Sequence, residues 1–212
     1  MHIRSLCAIA SVATATASVG SSHAAIVYSG PLNLSVPVGT SSPLPRLWID
    51  LDTFATSTTA SFTGWDVSFS GSNATFLTAN SQTLSNNVFV STGAGTPTPI
   101  ARLDPGTLIG ASSSFGSLGG GTVAMPTYTV APGPFLANSE GIMGFRRVVN
   151  GQTLYGWISI QVGSDMLTRS ITGIAYEDSG ASIIAGAIPA PGAVAVLGIG
   201  GVFAGRCRRR AR

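Results

Sequence analysis

The chain has 212 residues, of which 44% are hydrophobic and only 9% are charged, and its formal net charge is +3. All eleven basic residues are arginines, but only five of them lie between residues 25 and 188, where all eight acids lie, so this segment has a net charge of −3 (5 − 8). This charge balance excludes a nucleic-acid-binding surface, because such surfaces neutralise phosphates with clustered lysine and arginine.

The N-terminal segment has the layout of a secretory signal peptide. A short positive start at residues 1–4 precedes an apolar run at residues 6–19, and Ser22-His23-Ala24 supplies a small-x-Ala cleavage site. This order of charge, apolar run and small residues is typical of secretory leaders. We predict Sec-dependent export, with signal peptidase cutting between Ala24 and Ala25 and removing residues 1–24.

The segment that follows has the features of β structure throughout. Serine and threonine are abundant, and glycine, proline and asparagine recur at roughly the spacing of turns in β-sandwiches and barrels. The stretches 92–99 and 110–126 are predicted to be loops. The first strands are predicted at residues 26–29, 32–36, 46–51, 65–70, 74–77 and 88–91. We predict one all-β domain at residues 25–187, an antiparallel β-sandwich of the jelly-roll type.

The clearest local structure is a hairpin in the last third of the chain. Residues 141–149 and 152–162 flank Asn150-Gly151, a pair suited to the two positive φ angles of a type I′ turn. In the second arm one face is aliphatic and is predicted to be core, whereas the other face has the aromatic pair Tyr155 and Trp157. Further strands are predicted at residues 170–177 and 181–185.

The C-terminal tail has three parts: the motif Pro189-Ala190-Pro191, an apolar stretch at residues 192–205, and a cluster of arginines. Fourteen helical residues extend about 21 Å, which is less than the ~30 Å hydrocarbon core of a bilayer, so insertion is expected to be weak. The arginines are expected to stay on the cytoplasmic side: Arg206, Arg208, Arg209, Arg210 and Arg212. We predict a transient membrane helix; a permanent single-span anchor is the alternative.

The tail resembles a PEP-CTERM sorting signal, with alanine between the prolines where an acidic residue is usual. The hairpin sequences Gly144-Phe145-Arg146 and Gly151-Gln152-Thr153-Leu154-Tyr155-Gly156-Trp157 resemble those of exported β-rich proteins with such tails. The resemblance implies that residues 188–212 are a sorting signal processed by an exosortase-type membrane peptidase. It also implies a destination at the cell surface or in the extracellular matrix.

The residue inventory between the two ends limits the chemistry. The only cysteines are Cys7 and Cys207, and the only histidines are His2 and His23. The body therefore has no disulfide, no Ser-His-Asp triad and no His/Cys zinc site. Carboxylate chemistry, oxygen-ligand calcium or no chemistry remain, and no cofactor is predicted.

Two classes of function follow for the body. The preferred one is a non-catalytic surface or matrix protein associated with extracellular polysaccharide. Within this class Tyr155 and Trp157 are candidate glycan contacts, as are Trp48 and Trp65, although tryptophan is more often buried in a core.

The rival function is a polysaccharide-cleaving enzyme with two carboxylates. Its candidate residues are Glu140, Glu177 and Asp178. Adjacent strand residues point to opposite faces, which weakens Glu177 and Asp178 as a pair. Calcium at Asp50-x-Asp52 is disfavoured, because two aspartates fall short of the six or more oxygens that calcium requires. We predict that the protein is not an enzyme.

Overall fold

The computed structural model describes residues 25–40, 43–73, 76–81, 88–91, 98–116, 121–124 and 135–189. These residues form an all-β body whose sheets are mainly antiparallel, and none of them is helical. The predicted signal peptide and the predicted C-terminal helix lie outside the described residues. The strands are β1 (Ile26–Tyr28), β2 (Leu34–Ser35), β3 (Leu47–Ile49), β4 (Thr56–Ser57), β5 (Val67–Asn73), β6 (Phe76–Ser81), β7 (Val88–Phe89), β8 (Thr98–Pro99), β9 (Leu108–Ile109), β10 (Gly121–Ala124), β11 (Ser139–Val149), β12 (Gln152–Val162), β13 (Arg169–Glu177) and β14 (Ile183–Ile184).

Two larger sheets and one small sheet account for these strands. The first sheet has the order β1-β13-β12-β11-β7, with β2 paired to β13. The second sheet has the order β4-β3-β5-β6-β10-β8, in which β10 and β8 are parallel. The short strands β9 and β14 pair with each other. The prediction of an all-β body with antiparallel sheets is confirmed.

The β11–β12 hairpin forms the centre of the first sheet, and its predicted turn is confirmed. Val149 pairs with Gln152, and the two residues between them, Asn150 and Gly151, have φ angles of 52° and 81°. Two successive positive φ angles are the signature of the type I′ turn, which matches the twist of the flanking strands. Eleven residues pair on each side, so this hairpin fixes the register of the sheet.

Gly156 in β12 is required by close packing rather than by its backbone angles. A Cβ atom at this position would lie 2.3 Å from Cζ of Phe145 and 2.5 Å from the carbonyl oxygen of Ala175. Phe145 is the cross-strand partner of Gly156. Its ring therefore lies over the glycine, where any larger residue would displace both the ring and the backbone of β13.

The principal core lies between the two larger sheets. Its residues come from the second sheet, such as Ile49 and Phe69, and from the first, such as Phe145 and Ile158, and all are nearly inaccessible to solvent. In β12 the predicted aliphatic face supplies this core with Leu154, Ile158, Ile160 and Val162. The prediction that this face is core is therefore confirmed.

A second core covers the opposite face of the first sheet. It contains Tyr155 and Trp157 of β12 together with Ile109 of β9 and Ile183 of β14. The first sheet is thus buried on both faces, and the β9–β14 pair forms an outer layer. The sequence did not predict this layer, because β9 is only two residues long and shows no periodicity.

Two predicted loops contain strands, and those predictions are wrong. Thr98–Pro99 forms β8 within the stretch 92–99, and Gly121–Ala124 forms β10 within 110–126. β8 is an edge strand of the second sheet, and β10 lies between β6 and β8. Both are short and lie in stretches rich in glycine or proline, which concealed them. β4, at Thr56–Ser57, was not predicted because its two polar residues give no apolar signal.

Candidate functional site

Three carboxylates converge at one end of the second sheet. Asp50 and Asp52 follow β3, and Asp66 immediately precedes β5. Because β3 and β5 are antiparallel neighbours, with Ile49 opposite Val67, the end of one strand lies beside the start of the other. One oxygen from each carboxylate lies within 4.8 Å of the others. We call Asp50, Asp52 and Asp66 the carboxylate cluster.

Backbone amides of the loop after β3 hold two members of the cluster in place. Oδ1 of Asp50 accepts hydrogen bonds from the amides of Asp52 at 2.7 Å and Thr53 at 3.0 Å. Oδ2 of Asp66 accepts one from the amide of Leu51 at 2.8 Å. Phe54 in the same loop has a φ of 57°, a backbone conformation that a non-glycine residue seldom adopts. The hydrogen bonds from these backbone amides to Asp50 and Asp66 therefore hold the loop after β3 in one conformation.

The counter-charge to the cluster comes from the first sheet. Arg147 of β11 has a side chain that is only 2% exposed, and its Nη2 donates a hydrogen bond of 2.5 Å to Oδ1 of Asp52. Its Nη1 lies 3.6 Å from Oδ2 of Asp66. The guanidinium carbon also lies 4.4 Å from the ring centroid of Tyr176 on β13. Arg147 therefore ties the two larger sheets together electrostatically.

The position of Arg147 follows from strand alternation. Met143 and Phe145, four and two residues earlier in β11, are both in the principal core, and residues at this spacing share a face. Arg147 is thus the charged residue of a core-facing series, placed at its end where the acidic loop of the other sheet can reach it. The sequence analysis did not identify Arg147 as a site residue. An arginine that alternates with core residues along a strand is nevertheless a sequence signal for a buried ion pair.

The environment shifts the pKa values of this group in opposite directions. Burial raises the pKa of Asp66, against the hydrogen bond from Leu51 and the charge of Arg147. Burial alone would also raise the pKa of Asp50, but hydrogen bonds from Thr53 and Asp52 outweigh it and lower that pKa. Burial also raises the pKa of Tyr176. Of Asp50 and Asp66, Asp66 is therefore the one whose charged form is less favourable.

The guanidinium of Arg147 already supplies the positive charge that neutralises the carboxylate cluster. Calcium requires about six to eight oxygen ligands, and the cluster supplies three aspartates, one more than the sequence indicated. Two of their oxygens already bind Arg147, Oδ1 of Asp52 and Oδ2 of Asp66. The arrangement fits an intersheet ion pair, and we assign no metal to it.

The opposite pKa shifts predict opposite effects of neutralising two of these aspartates. Asp66 has a raised pKa, so its contribution to stability is present below its ordinary pKa of 3.8 and is lost as pH rises through the folded-state pKa. Asp50 has a lowered pKa, so its contribution is present above 3.8 and is lost as pH falls through the folded-state pKa. At pH 7 we expect Asp66→Asn to leave the free energy of unfolding unchanged or slightly higher. We expect Asp50→Asn to lower it, by less than about 1 kcal/mol because this group is only partly buried.

Urea denaturation between pH 3 and pH 7 measures both effects. The two variants should differ most at neutral pH and converge in acid, where the wild-type carboxylates are protonated. A loss of more than about 2 kcal/mol for Asp66→Asn at pH 7 would show that Arg147 depends on that negative charge.

The candidate catalytic carboxylates lie apart. Glu140 pairs with Gln161, which pairs with Ser170, and Glu177 lies seven residues further along β13. At 3.3 Å per residue, seven residues correspond to about 23 Å along the strand, whereas a two-carboxylate mechanism requires carboxyl groups about 5–10 Å apart. Glu140 and Glu177 therefore do not form a catalytic pair in this arrangement.

Each of these carboxylates also has local hydrogen-bond partners. Oε1 of Glu140 accepts a hydrogen bond from Thr172 at 2.9 Å. Glu177 is buried, and its Oε1 accepts hydrogen bonds from the amide and hydroxyl of Ser179 at 3.0 and 2.7 Å. Asp178 accepts one from the amide of Ala25 at 3.0 Å. These contacts fit roles in holding loops and the first strand.

The candidate glycan contacts of β12 are packed inside the second core. Trp157 is 3% exposed, and its Nε1 donates a hydrogen bond of 3.1 Å to the carbonyl oxygen of Ala187. Tyr155 is 9% exposed and stacks on Phe115 with ring centroids 6.1 Å apart. Neither ring offers a free face for stacking on sugar, whereas Trp48 and Trp65 are half-buried.

The predicted processing sites lie at the two ends of the body. Ala25 and Pro189 are exposed. Ala24, Ala190, Pro191 and the C-terminal arginines lie outside the described residues. In the part of the chain that the structure describes, no helix has the length and apolarity to span a bilayer. Comparison of the chain with protein-family models, with curated proteins and with solved structures finds no match.

Proposed function

We propose that this is an exported, C-terminally sorted protein of the cell surface or extracellular matrix, without catalytic activity and associated with polysaccharide. The observation that supports this proposal is the all-β body that lies between the two predicted addresses. Among the described residues the first strand begins at Ile26 and the last ends at Ile184. These strands therefore lie within residues 25–187, the segment that the proposal assigns to the mature domain.

The finer fold belongs to the same proposal. We infer that the two larger sheets form a β-sandwich of the jelly-roll type. Support comes from the principal core, which draws on both sheets, and from Arg147, which links them at one end. The additional β9–β14 layer would distinguish it from a simple two-layer sandwich.

The intact mass of the native protein tests the sorting proposal. Protein from whole cells and from the medium should begin at Ala25 and end near Pro189–Pro191, as expected after signal peptidase and an exosortase-type peptidase have acted. A species that retains Arg206–Arg212 would mean a permanent membrane anchor, and the sorting proposal would then fail.

The N-terminus that signal peptidase would create at Ala25 provides a second prediction. The amide nitrogen of Ala25 donates to Oδ1 of Asp178 at 3.0 Å, and the amide of Asp178 donates to the carbonyl of Ala25 at 3.1 Å. Cleavage after Ala24 would turn that nitrogen into an ammonium facing a carboxylate, which favours its protonated form. The chain has no lysine, so this is the sole aliphatic amine of a chain that begins at Ala25.

We expect an amine-acylating reagent to label the mature protein more slowly than its Asp178→Asn variant at pH 7–8. Asp104→Asn is a matched control, since it removes an exposed acid elsewhere in the body. Equal labelling rates for all three proteins would contradict the ion pair, and an unreactive chain would show that its N-terminus is blocked or differently processed.

A further inference from the structure

An apolar patch marks the place where the chain leaves the body. In the β9–β14 pair, Ile109 and Ile183 face each other in the second core, whereas Leu108 and Ile184 face each other on the outside. Leu108 is 57% exposed and Ile184 is 49% exposed. Ile188, four residues after Ile184, is 53% exposed. We call Leu108, Ile184 and Ile188 the exit patch.

Two of these side chains are neighbours, and the third follows them closely along the chain. Directly opposed residues in an antiparallel pair have Cβ atoms about 5 Å apart, which applies to Leu108 and Ile184. The amide of Ala187 donates to the carbonyl of Ile184 at 2.9 Å, so the backbone turns back towards Ile184 immediately before Ile188. Single exposed aliphatic residues are ordinary on protein surfaces, but a cluster is typical of a contact surface.

The body fixes the chain up to this point. The carbonyl of Ala187 accepts the hydrogen bond from the indole of Trp157, and Ala185 exchanges hydrogen bonds with Thr107 at 2.8 Å and Gly106 at 3.0 Å. Four residues, 188–191, separate this fixed point from the apolar segment that begins at Gly192. Four extended residues span at most about 14 Å.

We propose that the exit patch rests on the lipid surface while the C-terminal segment is inserted in the membrane. The inference depends on the membrane stage of the proposed function, because the short tether brings the patch to the bilayer interface only if residues 192–205 insert. The body has a net charge of −3, so its net charge does not attract it to anionic lipid. The contact is therefore apolar, made by aliphatic side chains at the boundary between headgroups and acyl chains.

The test uses the full chain in phospholipid vesicles that contain a lipid spin-labelled near the headgroup. A bimane fluorophore is attached to single cysteines, Leu108→Cys or Ile184→Cys, in a background with Cys7→Ser and Cys207→Ser. Leu167→Cys is the matched control, because Leu167 is an exposed leucine in the loop between β12 and β13, 43% accessible. Ala60→Cys reports on an exposed site of the second sheet's loops.

We expect a blue shift and quenching by the spin-labelled lipid at positions 108 and 184, and neither at positions 167 and 60. The signal should persist at high salt, because no charge is involved. In a second experiment, Leu108→Ser should weaken the quenching of a probe at Ile184→Cys, the residue directly opposite it in the β9–β14 pair. Leu167→Ser should leave that quenching unchanged.

The other outcomes separate the inference from the proposed function. If the chain resists carbonate extraction but positions 108 and 184 stay unquenched, the exit patch does not face lipid and the membrane stage still stands. A blue shift without quenching would mean that protein, such as a second copy, covers the patch, and equal quenching at all four positions would mean non-specific adsorption; both overturn the inference. A chain that carbonate removes from the vesicles overturns the inference and the membrane stage together.

Discussion

Replacing Arg147 with methionine is expected to lower the free energy of unfolding by about 3 kcal/mol at pH 7. Methionine keeps much of the buried volume but removes the charge between Asp52 and Asp66 and the contact with Tyr176. The three aspartates would then repel one another without a counter-ion. We place the loss at the low end of the range for a broken buried pair because the side chain of Asp52 is 58% exposed.

Arg146→Met is a matched control for this experiment. Arg146 is the preceding residue and points to the other face of β11, where it is exposed and lies 4.7 Å from the ring centroid of Phe115. An exposed contact of this kind contributes about 0.5–1 kcal/mol. Urea denaturation of the two variants compares the same substitution at adjacent positions, so a general effect of losing an arginine would appear in both.

The pH dependence identifies the cause of the loss. If repulsion among the carboxylates destabilises Arg147→Met, its deficit should shrink as pH falls from 7 to 3 and the aspartates become protonated. Adding Asp66→Asn to Arg147→Met should recover part of the stability at pH 7, since it removes the most buried of the three charges. A deficit that is independent of pH would point to lost packing against Tyr176 instead.

How far the sequence predicts this fold depends on the local signal that each element carries, because the short strands β2, β7 and β14 lie in stretches that were predicted as strands. The long β11–β12 hairpin was predicted closely, because its alternation and its Asn150-Gly151 turn are local signals. β8, β9 and β10 were missed, because strands of two to four residues are defined by partners distant in sequence. The outer layer that buries Trp157 depends on β9 and β14, so its existence was not visible in the pattern of β12.

The carboxylate cluster shows a similar limit. Asp50 and Asp52 are two residues apart in sequence and give only a weak calcium signal. Asp66 and Arg147 join them only through the pairing of β3 with β5 and the packing of one sheet on the other. The sequence signal that was available is the phase of Arg147 with Met143 and Phe145. A charge in a core series requires a partner, and acids at strand ends are the natural candidates.

Replacing Trp157 with alanine is expected to cost about 3–5 kcal/mol of unfolding free energy. The indole fills the second core beside Tyr28, with ring centroids 6.0 Å apart, and holds the carbonyl of Ala187. Its removal leaves a cavity and releases the segment that leads to the predicted sorting motif. Limited proteolysis should therefore cut the variant near residues 180–188 faster than the wild type.

Two further variants separate packing from glycan contact. Trp157→Phe keeps most of the bulk and loses the hydrogen bond to Ala187, so it should cost about 1 kcal/mol beyond the smaller packing loss. Trp48→Ala removes a half-buried indole from the second sheet and should lower the free energy of unfolding less than Trp157→Ala does.

Co-sedimentation with the extracellular polysaccharide of the producing cells measures glycan binding by these variants. If Trp157→Phe abolished that binding while remaining stably folded, Trp157 would be a glycan contact after all; retained binding with reduced stability supports its place in the core. The indole of Trp157 also holds Ala187, immediately before residues 188–191 that link the body to the apolar segment. Loss of this hydrogen bond would therefore also let the exit patch move away from the membrane.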